Sequence, residues 1–274
     1  MKLGIFFLAT SVYKEYFDEF SKSLHNLFPD NNVEKHLVIM SDGLSEYNNT
    51  EQFGCKIHWV DVIDLPYPLV PCNKFQMVAK YMKDFELDYG MFFDADSIIL
   101  EKSHEFWESL KTKLQTGKLL CSGHPHYLFV PDMDMHEPLC VSRTDSAGYV
   151  DANYVNIYRS YIITSFFAGS ADAISKYARK IYHMIGYDLK HLRWLPEFVD
   201  EAYMNAIYVN EIIKGKRNDI IKEKYITINP YIYLNFPERN TGDIHENNFP
   251  EIDTIFINQK YNVGLKSAKK LNEI

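Results

Sequence analysis

The sequence predicts an α/β fold with a mostly parallel central sheet and flanking helices. Three observations carry the prediction. Several apolar runs are continuous rather than alternating, as expected of strands covered on both faces. Segments with helical spacing alternate with those runs. The chain has 274 residues, 46% of them hydrophobic, enough to bury a full core.

The elements follow in order. Leu3–Leu8 reads as a buried first strand, and Tyr13–Leu27 places Tyr16, Phe17, Phe20, Leu24 and Leu27 at helical spacing. "KHLVIMSDG" is a second strand closed by the turn-forming pair Asp42-Gly43. Lys74–Phe85 is helical, and "YGMFF" is a strand running straight into "DADSIIL". Residues 103–115 form a helix with Phe106, Trp107 and Leu110 on one side, and "GKLLCSG" is a short strand. From His124 to Asn156 the pattern dissolves into Pro, Asp, Ser, Gly and Tyr. A connection that long is more often a binding region than filler. "YIITSFFAGS" is a strand, Ala173–Ile185 a helix, and Asp200–Ile213 a helix with carboxylates in its first turn. "KYITINPYIYLNFP" is strand-like, and the remainder is polar and rich in Asn.

The net charge of −8 argues against a chain whose main work is to grip nucleic acid or anionic lipid. The charge is uneven. Residues 260–274 carry Lys260, Lys266, Lys269 and Lys270 against Glu273, a local +3 that leaves −11 on the rest. That tail is either a solvated terminus or a phosphate contact. Cys55, Cys72, Cys121 and Cys140 are widely spaced and form no CxxC pair, so a reduced, cytoplasmic compartment is expected. The apolar run near the N-terminus is too short to span a membrane.

The most informative chemistry is in "MFFDADSIIL". Asp94 and Asp96 lie two apart at the end of an apolar strand, so in extended geometry both side chains leave one face. Two such carboxylates repel unless a cation sits between them. A hard divalent ion meets that need and leaves positions for phosphate oxygens. The plain alternative is a turn with solvated carboxylates. In "FVDEAYMN", Asp200 and Glu201 follow apolar residues, where one carboxylate faces a cleft or both match the helix N-terminus. In "SFFAGSADA", the small Ala168, Gly169 and Ser170 permit close approach of a ligand, or simply a tight strand-to-helix turn. His124 and His126 have no third metal ligand at a convincing spacing, and neither Cys121 nor Cys140 has a local partner for thiol chemistry.

Taken together and in this order, the segments resemble the glycosyltransferase family that includes the blood-group A and B transferases, the α-1,3-galactosyltransferase and their small bacterial relatives. The resemblance runs from "IFFLATSVY" to about "YIYLNFPE". Leu8, Ala9, Thr10, Ser11, Val12 and Tyr13 resemble the family's uridine-site segment Phe-Ala-Val-Gly-x-Tyr. Lys74 and Lys80 resemble its basic helix residues, with Lys80 the better match for the donor phosphates. Phe92, Phe93, Asp94, Ala95 and Asp96 resemble Phe-x-x-Asp-Val-Asp. His124, Pro125, His126 and Tyr127 resemble its His-Pro-Gly-Phe-Tyr, and Ser142–Val150 its following Ser/Ala/Tyr stretch. Thr164–Gly169 resembles the donor-selectivity segment. Phe198–Asn205 resembles Trp-His-Asp-Glu-Ser-x-x-Asn, with Phe198 and Val199 replacing the Trp and His.

The resemblance implies a GT-A type fold and a single catalytic domain over 1–274. Residues 1–122 would mainly bind UDP, 123–240 the acceptor and donor sugar, and 241–274 form a flexible basic segment that folds over UDP. It implies a bare catalytic domain without membrane anchor or stem. The implied reaction moves galactose or N-acetylgalactosamine from a UDP-sugar to the 3-hydroxyl of a galactoside, with retention and an α-1,3 linkage. Asp94 and Asp96 would hold Mn²⁺, with Mg²⁺ as the alternative ion. Leu8, Ala9, Thr10, Tyr13, Lys80, Ala168, Gly169 and Asp200 would join them around the donor. His124, Thr164, Phe198 and Glu201 would contact the acceptor. Glu201 is the implied catalytic carboxylate, acting as nucleophile or as a stabilising charge. Three other readings stand beside it, one of them a structural or interaction protein with an exposed apolar surface and no donor pocket. A glycogenin-like transferase would carry a C-terminal His-x-x-Gly-x-x-Lys, where "YNVGLKS" has Tyr261 and Ser267. A non-catalytic sugar-binding module would need no metal–diphosphate site.

Overall fold

A computed structural model describes residues 1–27, 32–43, 54–65, 68–99, 104–123, 142–151, 162–196, 199–213, 220–223 and 256–258. The chain is α/β. Its main sheet contains β1 (Lys2–Ala9), β2 (Glu34–Ser41), β3 (Lys56–Asp61), β4 (Tyr89–Asp94), β6 (Leu119–Gly123), β7 (Ile162–Ser170) and β8 (Ile220–Glu223). Their order is β3-β2-β1-β4-β7-β6-β8. The first four are mutually parallel, β7 is antiparallel to both its neighbours, and β6 and β8 are parallel to each other. The sheet is therefore mixed, with one reversed strand in its second half.

Side chains alternate between the two faces, as a strand's period of two requires. Ile5, Phe7, Phe93 and Phe166 build one core with α1 (Phe17–Ser23) and α3 (His104–Leu114). Phe6, Leu8, Phe92 and Phe167 build the other, under α2 (Leu69–Asp84), α4 (Ala171–His191) and α5 (Val199–Ile213). On that face Phe75 and Phe92 both stack on Phe167, with ring centroids 4.0 and 5.0 Å away. Gly90 is what lets α2 sit so close, since a Cβ there would lie 2.7 Å from the Met82 sulfur.

Several boundaries differ from expectation for identifiable reasons. The predicted helix over Tyr13–Leu27 begins as a 3-10 turn, Ser11–Tyr16, entered through Ser11 at a φ of 55°. α2 starts five residues before Lys74, because Pro71 falls in the first turn, where its missing N–H costs nothing. α4 runs six residues past Ile185 and through Gly186. Ser170 caps its start by accepting the Ala173 N–H, 3.2 Å away, and buried Asp188 holds its last turns. The predicted strand over 224–237 lies outside the described residues.

A second, two-stranded sheet pairs β5 (Ser97–Ile99) with β9 (Phe256–Asn258), antiparallel, with Ser97 opposite Asn258. The C-terminal segment expected to be flexible thus includes a strand, three residues of which dock beside the Asp94-Ala95-Asp96 turn.

Candidate functional site

Ligands in α/β sheets bind outside the carboxyl ends of the strands, and the candidate residues gather there. β1 and β4 are in register with Leu8 opposite Asp94, so Leu8, Thr10, Asp94 and Asp96 reach the same edge. Because β7 runs the other way, its N-terminal residues, including Thr164, arrive at that edge too. α5 presents Asp200 and Glu201 from its first turn, and α2 presents Lys74 from its first half. Together they line a cavity of about 740 Å³, with Tyr13, Asp64, Leu65, Val70, Pro71 and Val199.

One ammonium organises the carboxylates. Lys74 is buried, with its Nζ 2.7 Å from Asp200 and 3.6 Å from Asp94, over the face of Phe92. Burial alone would lower its pKa, but Asp200, Asp94 and Glu201 outweigh that and hold it above the ordinary lysine value, fully charged. The Thr164 hydroxyl donates to Asp200, and the Thr164 N–H donates to Glu201 Oε1 at 3.3 Å. Asp200 is thereby buried and engaged from two sides. Glu201 is only partly buried and faces the cavity.

Asn205, one helical turn on, holds this geometry. Its Oδ1 accepts the Ile162 N–H at 2.7 Å, and its Nδ2 donates to the Ile162 and Glu201 carbonyls at 2.9 and 2.8 Å. The start of β7 and the first turn of α5 are thus clamped in register. Behind them, buried Asp188 accepts from the Tyr203 and Ser146 hydroxyls and from the Ala147 N–H, tying residues 146–147 to α4 and α5.

The structure brings together Leu8, Thr10, Tyr13, Asp94, Asp96, Thr164, Asp200 and Glu201. It does not bring Lys80, which is six residues from Lys74 on the same helix and hence about 120° round it. Lys80 is exposed, pairs with Asp84 at 2.7 Å and lies over Tyr81; the lysine at the cavity is Lys74. Ala168 and Gly169 are also misplaced by the prediction. They pair with Met91 and Gly90, toward the opposite edge, because β7 is reversed. Their smallness serves packing: a Cβ on Gly169 would meet the Lys118 carbonyl at 3.3 Å. Ala9 points into the opposite core. His124 and Phe198 lie outside the described residues. Asp64 was missed because it lies in the irregular segment three residues after β3, an edge strand whose half-buried side chains carry no clear apolar run.

Five carboxylates and one ammonium line the cavity. Such a site repels an anionic ligand unless a further cation enters with it. Asp94 and Asp96 supply hard oxygen donors suited to Mn²⁺ or Mg²⁺. Among the described residues no group of three or more His, Cys, Asp or Glu side chains forms a complete metal site. Two carboxylates fit an ion that takes its remaining ligands from water and phosphate. Cys72, on the far side of α2, has a thiol pushed up to about 11, chiefly by burial and then by Asp200, and is unsuited to nucleophilic work. No family model matches the chain, and no curated protein matches it significantly.

Proposed function

We propose that this chain is a retaining glycosyltransferase of GT-A type, moving galactose or N-acetylgalactosamine from a UDP-sugar to the 3-hydroxyl of a galactoside acceptor. The observation that supports it most is the joining of Asp94, Asp200 and Glu201 through Lys74 and Thr164 at one edge of the sheet. The resemblance along the chain leads to the same residues.

In this reading Tyr13, half-exposed at the cavity wall, offers its ring to the uracil. Asp94 and Asp96 hold the divalent ion, which when bound offsets the charge that grows on the departing diphosphate. Asp200, fixed by Lys74 and Thr164, orients donor-sugar hydroxyls. Glu201 sits below the anomeric carbon, one oxygen held by the Thr164 N–H, and meets positive charge there by bonding or by field. Lys74 pairs with Asp200 and keeps it aimed. The partners are thus a UDP-sugar and an oligosaccharide acceptor.

The test is a panel of UDP-sugars and galactosides with Mn²⁺, read by product mass, anomeric configuration and linkage. The expected product is α-1,3-linked. Glu201→Gln is expected to lower kcat by about 10³-fold or more with the fold intact. Undiminished transfer by that variant, or full activity in chelated buffer, would overturn the assignment.

A further inference from the structure

The net charge of the chain describes the whole molecule, whereas a surface partner meets one face, since charges more than about 8 Å away are largely screened at physiological salt. One face differs from the rest. From Ala171 to Arg193 the chain carries Lys176, Arg179, Lys180, Lys190 and Arg193, while its two carboxylates are exposed Asp172 and fully buried Asp188. Lys180 pairs with Glu211, and Arg179, Lys190 and Arg193 are exposed.

Lys190 and Arg179 border exposed apolar groups, whereas Lys176 and Lys180 lie further round the helix. Tyr182, Tyr187, Leu189 and Leu69 are 60%, 48%, 45% and 38% exposed. All four line one groove of about 400 Å³ between α4 and the start of α2, together with Lys190. This groove and the candidate site share the first turns of α2 from opposite sides: Leu69, Cys72 and Asn73 face one, Val70, Pro71 and Lys74 the other. The two remaining large apolar side chains exposed among the described residues are Tyr13 and Ile63, the first lining the cavity and the second next to Asp64, which lines it. Asp61 and Asp64 flank Ile63, so the acidic side is the cavity rim and the basic side is α4.

Tyrosine and leucine among Lys and Arg are the composition of a helix face that lies in a headgroup layer. Nucleic acid explains the cations but not the exposed leucines. No helix of the described residues is long and apolar enough to cross a membrane. We infer that the α4 face, with Leu69, docks on an anionic phospholipid surface and holds the mouth of the neighbouring cavity near the headgroups. Resting on the transferase reading, this makes the acceptor a glycan carried by a lipid.

The whole chain should be sedimented with phosphatidylcholine vesicles with and without phosphatidylglycerol, at low and high salt, without donor, metal or acceptor. Docking can therefore fail while transfer survives, and the reverse. Binding is expected only with phosphatidylglycerol and only at low salt. Lys190→Glu and, separately, Arg179→Glu are each expected to weaken it by about five-fold or more, and Tyr187→Ser with Leu189→Ser by at least as much. Unchanged melting temperatures confirm that each variant is folded. No binding at low salt overturns the inference, as does equal binding by all variants. So does finding that these substitutions abolish self-association or binding to an oligonucleotide while vesicle binding is absent.

Discussion

Lys74 is the residue on which the carboxylate cluster depends. Removing one member of a buried ion pair leaves the other charged and unmatched, at a cost of about 3–5 kcal/mol. Lys74→Met is therefore expected to lower the urea midpoint by that equivalent, while Lys74→Arg retains much of it. A second residue-scale prediction concerns His58 on β3. Its ring stacks on Phe85 at 4.1 Å and lies 2.8 Å from His36, which in turn meets Glu34 at 2.9 Å. Burial, then His36 and Lys56, lowers its pKa. A histidine with a depressed folded pKa contributes stability that is present above the unfolded value, about 6.5, and lost as pH falls below it. Urea midpoints should therefore drop between neutral pH and the folded value, and His58→Gln should flatten that slope. An unchanged slope would remove His58 as the cause. At this scale the gathering of Asp94, Asp96, Asp200 and Glu201 at one cavity was legible, because each pair directly follows an apolar run that ends at the sheet's edge or opens a helix. Choosing Lys80 over Lys74 failed because two lysines six apart look alike until the helix is placed against its neighbours.

At the scale of elements, the continuous runs of β1, β4 and β7 and the periodicity of α3 and α5 were readable, since burial on two faces or one leaves a plain pattern. β3 was not: Lys56 and Asp61 end it and its middle is only half-buried. Strand direction left no trace either. β7 has the same composition whichever way it runs, yet its reversal decides that Thr164 rather than Gly169 meets the site. The junction of β7 with α5 hangs on Asn205. Asn205→Ala would orphan the buried Ile162 N–H and carbonyl, at about 1–3 kcal/mol each. Lower stability and a fall in kcat are expected together, with Asn205→Asp retaining the acceptor half. A kcat unchanged in folded Asn205→Ala would show that the clamp does not position Glu201.

For the whole molecule, the second sheet is the most distinctive link. Two three-residue strands are marginal alone, so Ile257→Pro, which puts a strand-disfavoured residue opposite Ile98, should leave the melting of the main sheet nearly unchanged. Misplacing the turn that carries Asp96 should lower transfer on the order of 100-fold, and the two measurements separate a local role from a global one. No local pattern could have announced this pairing, because the partners are so far apart along the chain.

That separation has a temporal consequence. A ribosome delivers residues in order at about 5–20 per second, and Ser97 emerges well before Asn258 does. The seven-stranded body can close its core while the carboxylate turn still lacks its partner strand. During synthesis the main sheet can therefore form before β5 meets β9, and the carboxylate turn is set by a later event than the core beneath it.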